Sequence, residues 1–193
     1  RTVKDSRFKD FADQLRPFCK EGVYGAFFSG PNQFNINKEF IVTEFKGIDN
    51  DPDLRDPLIM LLIYHLNQLM YRSEDRKNRI QIVLDEAHRF LGKNPKMDDF
   101  IEQAYRRARK YNGSIILATQ GFDDIYNLKT GGLSRAGSVI INNSSWKIFM
   151  KQTDTSINML INSNLFNLSE YEKALLKSIT TTKGQYSELL LIT

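Results

Sequence analysis

The stretch from Arg79 to Phe90 reads RIQIVLDEAHRF, and it decides how the rest of the chain is interpreted. Ile80, Ile82, Val83 and Leu84 form a short apolar run without glycine or proline, which is typical of a buried strand in a parallel sheet. Two carboxylates, Asp85 and Glu86, follow directly. Because ligands of open α/β sheets bind outside the carboxyl ends of the strands, these acids are predicted to lie at a ligand site.

A buried strand that ends in two acids matches the Walker B pattern of nucleotide hydrolases. In that interpretation Asp85 holds Mg²⁺ directly or through water, and Glu86 orients and deprotonates the water that attacks the γ-phosphate. The plain alternative is a strand end capped by solvated acids. The pattern alone does not decide between the two.

Length and composition favour one soluble domain. A chain of 193 residues with 41% hydrophobic residues is long enough to bury one α/β core, so we expect a single domain over residues 1–193. A net charge of +4 is mild, and it does not by itself predict a nucleic-acid binder. Cys19 is the only cysteine, which excludes an internal disulfide and a cysteine-rich zinc site.

The sequence carries no membrane-spanning or secretory signal that we recognise. Its longest apolar run, Pro57 to Tyr64, is far shorter than the ~20 residues that cross a bilayer. We therefore expect a soluble chain or the soluble piece of a larger protein. Because the sequence starts at Arg1 rather than at a methionine, we expect an excised fragment.

The first part of the chain predicts an α/β arrangement. An amphipathic helix is expected over Phe8–Cys19, a strand over Glu39–Phe45 and a core helix over Leu54–Tyr71, with Asp51 or Asp53 as its cap. With the strand that begins at Ile80, the last two elements describe one βαβ unit.

The stretch after the two acids predicts a second helix and strand. A helix is expected over Met97–Tyr111, with Glu102 and Arg106 one turn apart on its polar face and Arg106, Arg109 and Lys110 sharing a face. Ser114 to Thr119 (SIILAT) reads as another buried strand, which ends at Gln120.

The last part of the chain supplies further elements. We predict a helix or a helix and turn within Leu133–Asn143, a strand over Trp146–Met150, a helix from the capping box Ser169–Glu172 through Ile179, and a final strand over Tyr186–Ile192.

Gln120 strengthens the nucleotide interpretation. In RecA-like motors the strand beside the Walker B strand ends in a polar sensor residue, which hydrogen-bonds the attacking water or the γ-phosphate. Gln120 has this place, one helix after Glu86. The predicted fold class is therefore α/β, a RecA-like P-loop NTPase core with a mostly parallel sheet flanked by helices.

Three motifs in this order, VLDEAHRFLG, YRRARKYNG and SIILATQGFDDI, resemble the motor domain of TraC-type ATPases of type IV secretion and conjugation. The upstream stretch EFIVTEFKGIDNDPDLRDPLIMLLIYHLNQLMY and the terminal KGQYSELLLI are similar to the same family. The resemblance assigns the Walker B aspartate to Asp85, the catalytic glutamate to Glu86 and the sensor to Gln120. It places the family's Arg-Lys motif on Arg109 and Lys110.

The resemblance also implies the setting in which the parent protein works. It implies an ATP- and Mg²⁺-dependent motor that energises pilus assembly and substrate transfer, acting as a homo-oligomeric ring with a hexamer as the expected size. It implies a cytoplasmic location at the bacterial inner membrane. Other inner-membrane components of the secretion system are the expected partners, with a coupling protein as a further candidate and DNA binding left open.

One expected motif is absent from the sequence. No G-x-x-x-x-G-K-[ST] occurs in residues 1–193, so the backbone nest and lysine that grip the β- and γ-phosphates are missing. We therefore expect the fragment to hold half an active site and to be inactive alone.

Two other functions stay open at this point. A DEAH-box helicase, a translocase-type motor, would share Asp85 to His88, but would need Ser-Ala-Thr where this chain has Ala118-Thr119-Gln120. A non-catalytic interaction domain with an ATPase-like fold is the second alternative. We expect Arg109, assisted by Lys110, to be catalytic, either by acting on the γ-phosphate of a neighbouring subunit or by holding the sensor strand in register. The sequence leaves open whether Arg106 is the trans-acting arginine instead.

Overall fold

The computed structural model describes residues 6–31, 38–48, 50–72, 79–89, 91–92, 95–127 and 131–193. The chain separates into two compact units, Arg1–Leu61 and Leu62–Thr193, and the boundary falls within one long helix. The single domain expected from the length stays a prediction.

The first unit contains two short helices and an aromatic cluster. Helix α1 spans Ser6–Leu15 and continues into a 3-10 turn, and helix α2 spans Gly25–Phe28. The Phe18 ring packs edge-on against Phe28 at 5.3 Å and lies tilted against Tyr24 at 5.4 Å between centroids. The turn between them packs closely on the backbone, since a Cβ on Gly22 would lie 2.3 Å from the carbonyl oxygen of Arg16.

Helix α3, Pro52–Arg72, begins at a well-defined cap. The Asp51 carboxylate accepts the Leu54 amide at 3.3 Å and the Tyr24 hydroxyl at 3.0 Å. Of the two caps that the sequence allowed, Asp51 is therefore the one that binds a free amide of the first turn.

The strand predicted over Glu39–Phe45 is wrong. This segment has no strand, and three of its four apolar side chains are exposed, 84% for Phe40, 37% for Ile41 and 69% for Val42. A strand forms only where a neighbouring strand takes its backbone hydrogen bonds, and none of the strands in the described part of the chain lies beside this segment. Residues 39–45 therefore do not supply the first strand of the predicted βαβ unit.

The second unit is built on a different βαβ unit. Strand β1, Ile80–Leu84, is followed by helix α4, Pro95–Arg107, and strand β2, Gly113–Leu117. The two strands pair in parallel, with Ile80 opposite Gly113 and Leu84 opposite Leu117. Helix α4 buries its predicted apolar stripe, including Phe100, Ile101 and Ala104. This pairing supplies the parallel centre that the fold class requires.

Among the described residues, side chains cover only one face of the two strands, which corrects the prediction that the strands are fully buried. Ile82 is 8% exposed, whereas Val83 is 59% and Ile116 is 48% exposed. Val83 and Ile116 are cross-strand neighbours, so they form one uncovered apolar pair.

The rest of the second unit consists of short elements around a second core. They are strands β3 Tyr126–Asn127 and β4 Gly132–Leu133, helix α5 Arg135–Asn143, strand β5 Lys147–Phe149, helices α6 Asp154–Asn162 and α7 Glu170–Ser178, and strands β6 Thr181–Thr182, β7 Tyr186–Ser187 and β8 Leu190–Ile192. Three antiparallel pairs form, β3 with β4, β5 with β8 and β6 with β7. Phe122, Ile157, Leu160 and Leu176 lie at the centre of this core.

The predicted final strand is wrong as a single element. It divides at Glu188, whose carboxylate accepts the Thr180 amide at 2.7 Å. The chain therefore changes partner there, from β6 before Glu188 to β5 after it. The predicted capping box is confirmed, because Ser169 and Glu172 bond each other's backbone amides.

Candidate functional site

The predicted Walker B and sensor residues meet at one end of the β1–β2 pair. The pairing continues beyond both strands, since the Ala118 amide donates to Leu84 and the Ala87 amide donates to Ala118, both at 2.9 Å. Glu86 and Gln120 therefore leave the sheet side by side. The Gln120 Nε2 donates to Glu86 Oε1 at 3.4 Å. The chain thus brings together two residues that are 34 positions apart.

The second oxygen of Glu86 has a partner that the sequence analysis missed. Arg89 Nε lies 2.6 Å from Glu86 Oε2, and the two side chains are 49% and 40% exposed. An ion pair this exposed is worth about 0–1 kcal/mol. The i, i+3 spacing of Glu86 and Arg89 is the sequence pattern that could have predicted this ion pair. The ion pair and the Gln120 amide together orient the Glu86 carboxylate.

The backbone at Glu86 is strained. Its φ is 48°, and the two other described non-glycine residues with positive φ, Asn112 and Asn164, are of a type that tolerates this region well. The Glu86 amide bonds its neighbour's carboxylate, Asp85 Oδ1, at 2.9 Å, and Ala87 next to it is fully buried. Packing therefore holds a strained glutamate at the strand end, as is common at functional sites.

Asp85 fits the role of a magnesium ligand. It is exposed at the strand end, one carboxylate oxygen accepts the Glu86 amide, and no described residue bonds the other oxygen. Among the described residues, no group of three or more His, Cys, Asp or Glu is arranged to hold a metal. Mg²⁺ commonly uses one or two carboxylates and completes its shell with waters and phosphate oxygens, so a single free carboxylate suits it.

The loop after β2 is fixed by a second carboxylate that the sequence analysis did not single out. The Thr119 hydroxyl donates to Asp124, and the Gly121 amide donates to the same oxygen at 3.2 Å. Both donors flank Gln120 in the chain. Asp124 therefore limits the directions in which the Gln120 side chain can leave the strand.

Arg109 and Lys110 lie away from the acids. Helix α4 ends at Arg107, so the predicted helix through Tyr111 is wrong at its end, and both cations lie on a 3-10 turn that precedes β2. They are at the amino end of a five-residue strand whose first and last residues are about 13 Å apart, at about 3.3 Å per step. Among the described residues, the Arg109 guanidinium has no partner, while Lys110 lies 5.7 Å from the Tyr111 ring centroid.

Arg106 has a structural explanation. Its guanidinium lies 3.0 Å from Glu102, which confirms the predicted pair. Arg135, at the start of α5, contacts the same carboxylate at 2.7 Å and Asp99 at 3.4 Å. This ionic cluster links α4 and α5, so Arg106 is held within its own chain.

Comparison with known proteins identifies the protein family of this chain. The model of the TraG P-loop domain family matches residues 1–192, so the chain belongs to that family. Protein TraC of Escherichia coli (strain K12) is 31% identical over 150 residues, which are 77% of this chain and 17% of TraC. The resemblance to TraC seen in the motifs is confirmed.

A solved structure supports the fold. The VirB4 structure of Thermoanaerobacter pseudethanolicus matches 90% of this chain and 44% of that chain, with a TM-score of 0.66 at 24% identity. This confirms the predicted fold class. The chain spans less than half of either relative. Across the described residues, we find no helix with the length and hydropathy needed to cross a membrane.

Proposed function

We propose that this chain is the Walker B and sensor part of an ATP-hydrolysing motor. The observation that carries the proposal is the hydrogen bond between Gln120 Nε2 and Glu86 Oε1 at the carboxyl end of the parallel pair. Nucleotide sites of this fold class lie at that end of the sheet. Membership in a P-loop domain family supports a nucleoside triphosphate as the ligand.

In this proposal each residue has a distinct task. Asp85 holds Mg²⁺, which supplies charge neutralisation at the phosphates when it is bound. Glu86 accepts a proton from the attacking water, a task for which its exposed carboxylate is within reach of solvent. Gln120 donates from its amide to the water or the γ-phosphate and keeps the Glu86 carboxylate in place.

The proposed site is incomplete within residues 1–193. No P-loop sequence is present, so the main phosphate contacts would come from elsewhere in the parent protein. We expect this chain alone to bind Mg-ATP weakly or not at all. Measurable turnover by pure chain would contradict the half-site interpretation.

The names of the relatives extend the proposal to a biological setting. TraC and VirB4 support a parent motor that energises type IV secretion or conjugative pilus assembly. We further propose a homo-oligomeric ring, with a hexamer as the expected size, at the cytoplasmic face of the inner membrane. Its partners would be other inner-membrane components of the secretion system, with a coupling protein as a further candidate.

The test replaces Glu86 by glutamine in the whole protein. Glu86→Gln keeps the size of the side chain and removes the base, so hydrolysis should fall by about 100-fold or more while nucleotide still binds. A matched control is Glu170→Gln on α7, which removes the same charge and also breaks an i, i+3 pair, with Lys173 at 2.7 Å.

Equal loss of turnover in both variants would mean that the defect is structural. Unchanged turnover in Glu86→Gln would place the base elsewhere. If the unaltered whole protein neither binds nor hydrolyses nucleotide, the chain is instead a non-catalytic interaction domain.

A further inference from the structure

An open cavity of about 310 Å³ lies beside Gln120 and is lined from two sides. Gln120, Gly121 and Asp123 come from the loop after β2, while Lys151, Gln152 and Ser156 come from the segment after β5 and the start of α6. Gln120, the proposed sensor, therefore borders a cavity that is also lined by residues following strand β5.

Lys151 is the cation of this cavity. It follows β5 by two residues, is exposed, and its ammonium group has no hydrogen-bond or ion-pair partner among the described residues. Lys147 at the start of β5 differs, because its ammonium donates to the Ser144 carbonyl at 2.7 Å. Of the two lysines of this segment, Lys151 is the one that can bind a ligand without breaking a contact.

The polar groups around the cavity suit a phosphate. Gln120 and Gln152 contribute amide donors, Ser156 a hydroxyl and Lys151 a full positive charge. Charge-assisted hydrogen bonds to phosphate are the strongest that such side chains make. Asp123 and Asp124 both line the cavity, and both charges oppose an anion. Because the Asp124 carboxylate also accepts the Thr119 hydroxyl and the Gly121 amide, Asp123 is the acid that can be neutralised without releasing this loop.

We propose that Lys151 binds the γ-phosphate of the nucleotide and thereby extends the site from the ends of β1 and β2 to the end of β5. This rests on the function proposed above, since Gln120 is the residue that the two sites share. Lys151 then distinguishes nucleoside triphosphate from diphosphate, because it contacts the phosphate that only the triphosphate has.

The experiment measures nucleotide affinity in the whole protein with Glu86→Gln as the background, so that ATP is not consumed. Lys151→Met should weaken Mg-ATP binding by about 10- to 100-fold, the effect of losing one charged hydrogen bond, and leave Mg-ADP binding within about 2-fold. Lys151→Arg should retain most of the ATP affinity. Lys183→Met, which removes an exposed lysine from the turn between β6 and β7, is the control and should change neither affinity.

Asp123→Asn provides a test of opposite sign. Removing the opposing charge should strengthen Mg-ATP binding and leave Mg-ADP binding unchanged. Equal losses for ATP and ADP in Lys151→Met, or no loss for either, would overturn the assignment.

The inference and the proposed function can fail separately. Continued hydrolysis in Glu86→Gln would refute the base assignment, while a selective loss of ATP affinity in Lys151→Met would still support the phosphate contact. Abolished hydrolysis in Glu86→Gln together with unchanged ATP affinity in Lys151→Met would refute the phosphate contact alone.

Discussion

The two ends of the β1–β2 pair differ in charge and in how their side chains are held. At the carboxyl end, Glu86 is strained and bonded to both Gln120 and Arg89. At the amino end, about 13 Å away across a five-residue strand, Arg109 is exposed and has no partner among the described residues. One copy of this chain therefore does not bring its acids and its free arginine together. A site that needs both would be built from two copies, which is the arrangement that we propose.

The largest expected effect is at the amino end. If Arg109 stabilises charge on the γ-phosphate of a neighbouring subunit, Arg109→Ala in the whole protein should lower turnover by about 10³- to 10⁵-fold. Lys110→Ala should have a smaller effect, because Lys110 assists. The control is Arg106→Ala, whose partner Glu102 keeps a second arginine, Arg135.

The measurement is steady-state hydrolysis with oligomer formation checked for each variant. A larger loss in Arg106→Ala than in Arg109→Ala would move the trans-acting role to Arg106. It would also remove the contrast between the two ends.

A smaller effect is expected at the sensor. Gln120→Ala removes one neutral donor, so hydrolysis should slow by about 3- to 10-fold while affinity for Mg-ATP changes less. Gln103→Ala, an exposed glutamine on α4, is the control. A large loss of ATP binding would instead make Gln120 a structural residue.

The smallest effect is on stability. Glycine accepts the positive φ that Glu86 adopts, which relieves about 1–3 kcal/mol of strain, while the greater freedom of glycine in the unfolded chain costs about 0.5–1 kcal/mol. Before the loss of the Arg89 pair, Glu86→Gly should therefore stabilise the protein by about 1 kcal/mol while hydrolysis is lost. Part of this gain is offset by the lost pair with Arg89, worth about 0–1 kcal/mol. Asn164→Gly should change stability little, because asparagine already tolerates its φ of 51°. If urea unfolding gives Glu86→Gly a lower free energy of unfolding than Asn164→Gly, the backbone at Glu86 does not store strain.

The same contrast shows what could be predicted from the sequence. Local patterns were sufficient for the β1 strand with its two acids, the apolar stripe of α4 and the Glu102–Arg106 pair, because each depends on residues a few positions apart. The position of Gln120 beside Glu86 followed from the rule that parallel strands end at the same edge.

The predictions that failed depend on distant neighbours. The segment 39–45 has the composition of a strand, but no described strand lies beside it. Val83 is exposed because nothing described packs on that face of the sheet. The bond of Asp124 to Thr119 and the cavity at Lys151 also depend on how loops fold back on each other. Hydrophobic periodicity in the sequence does not predict such contacts between distant loops.

The central claim, that the two ends belong to one site built from two copies, can be tested by mixing. Full-length Arg109→Ala and full-length Glu86→Gln, each inactive alone, are combined so that mixed oligomers form, which a tag on each variant verifies. If Arg109 acts across an interface, some sites contain both intact groups, and hydrolysis should partly return. If mixed oligomers form and no ratio of the two variants recovers hydrolysis, Arg109 does not act on the neighbouring site.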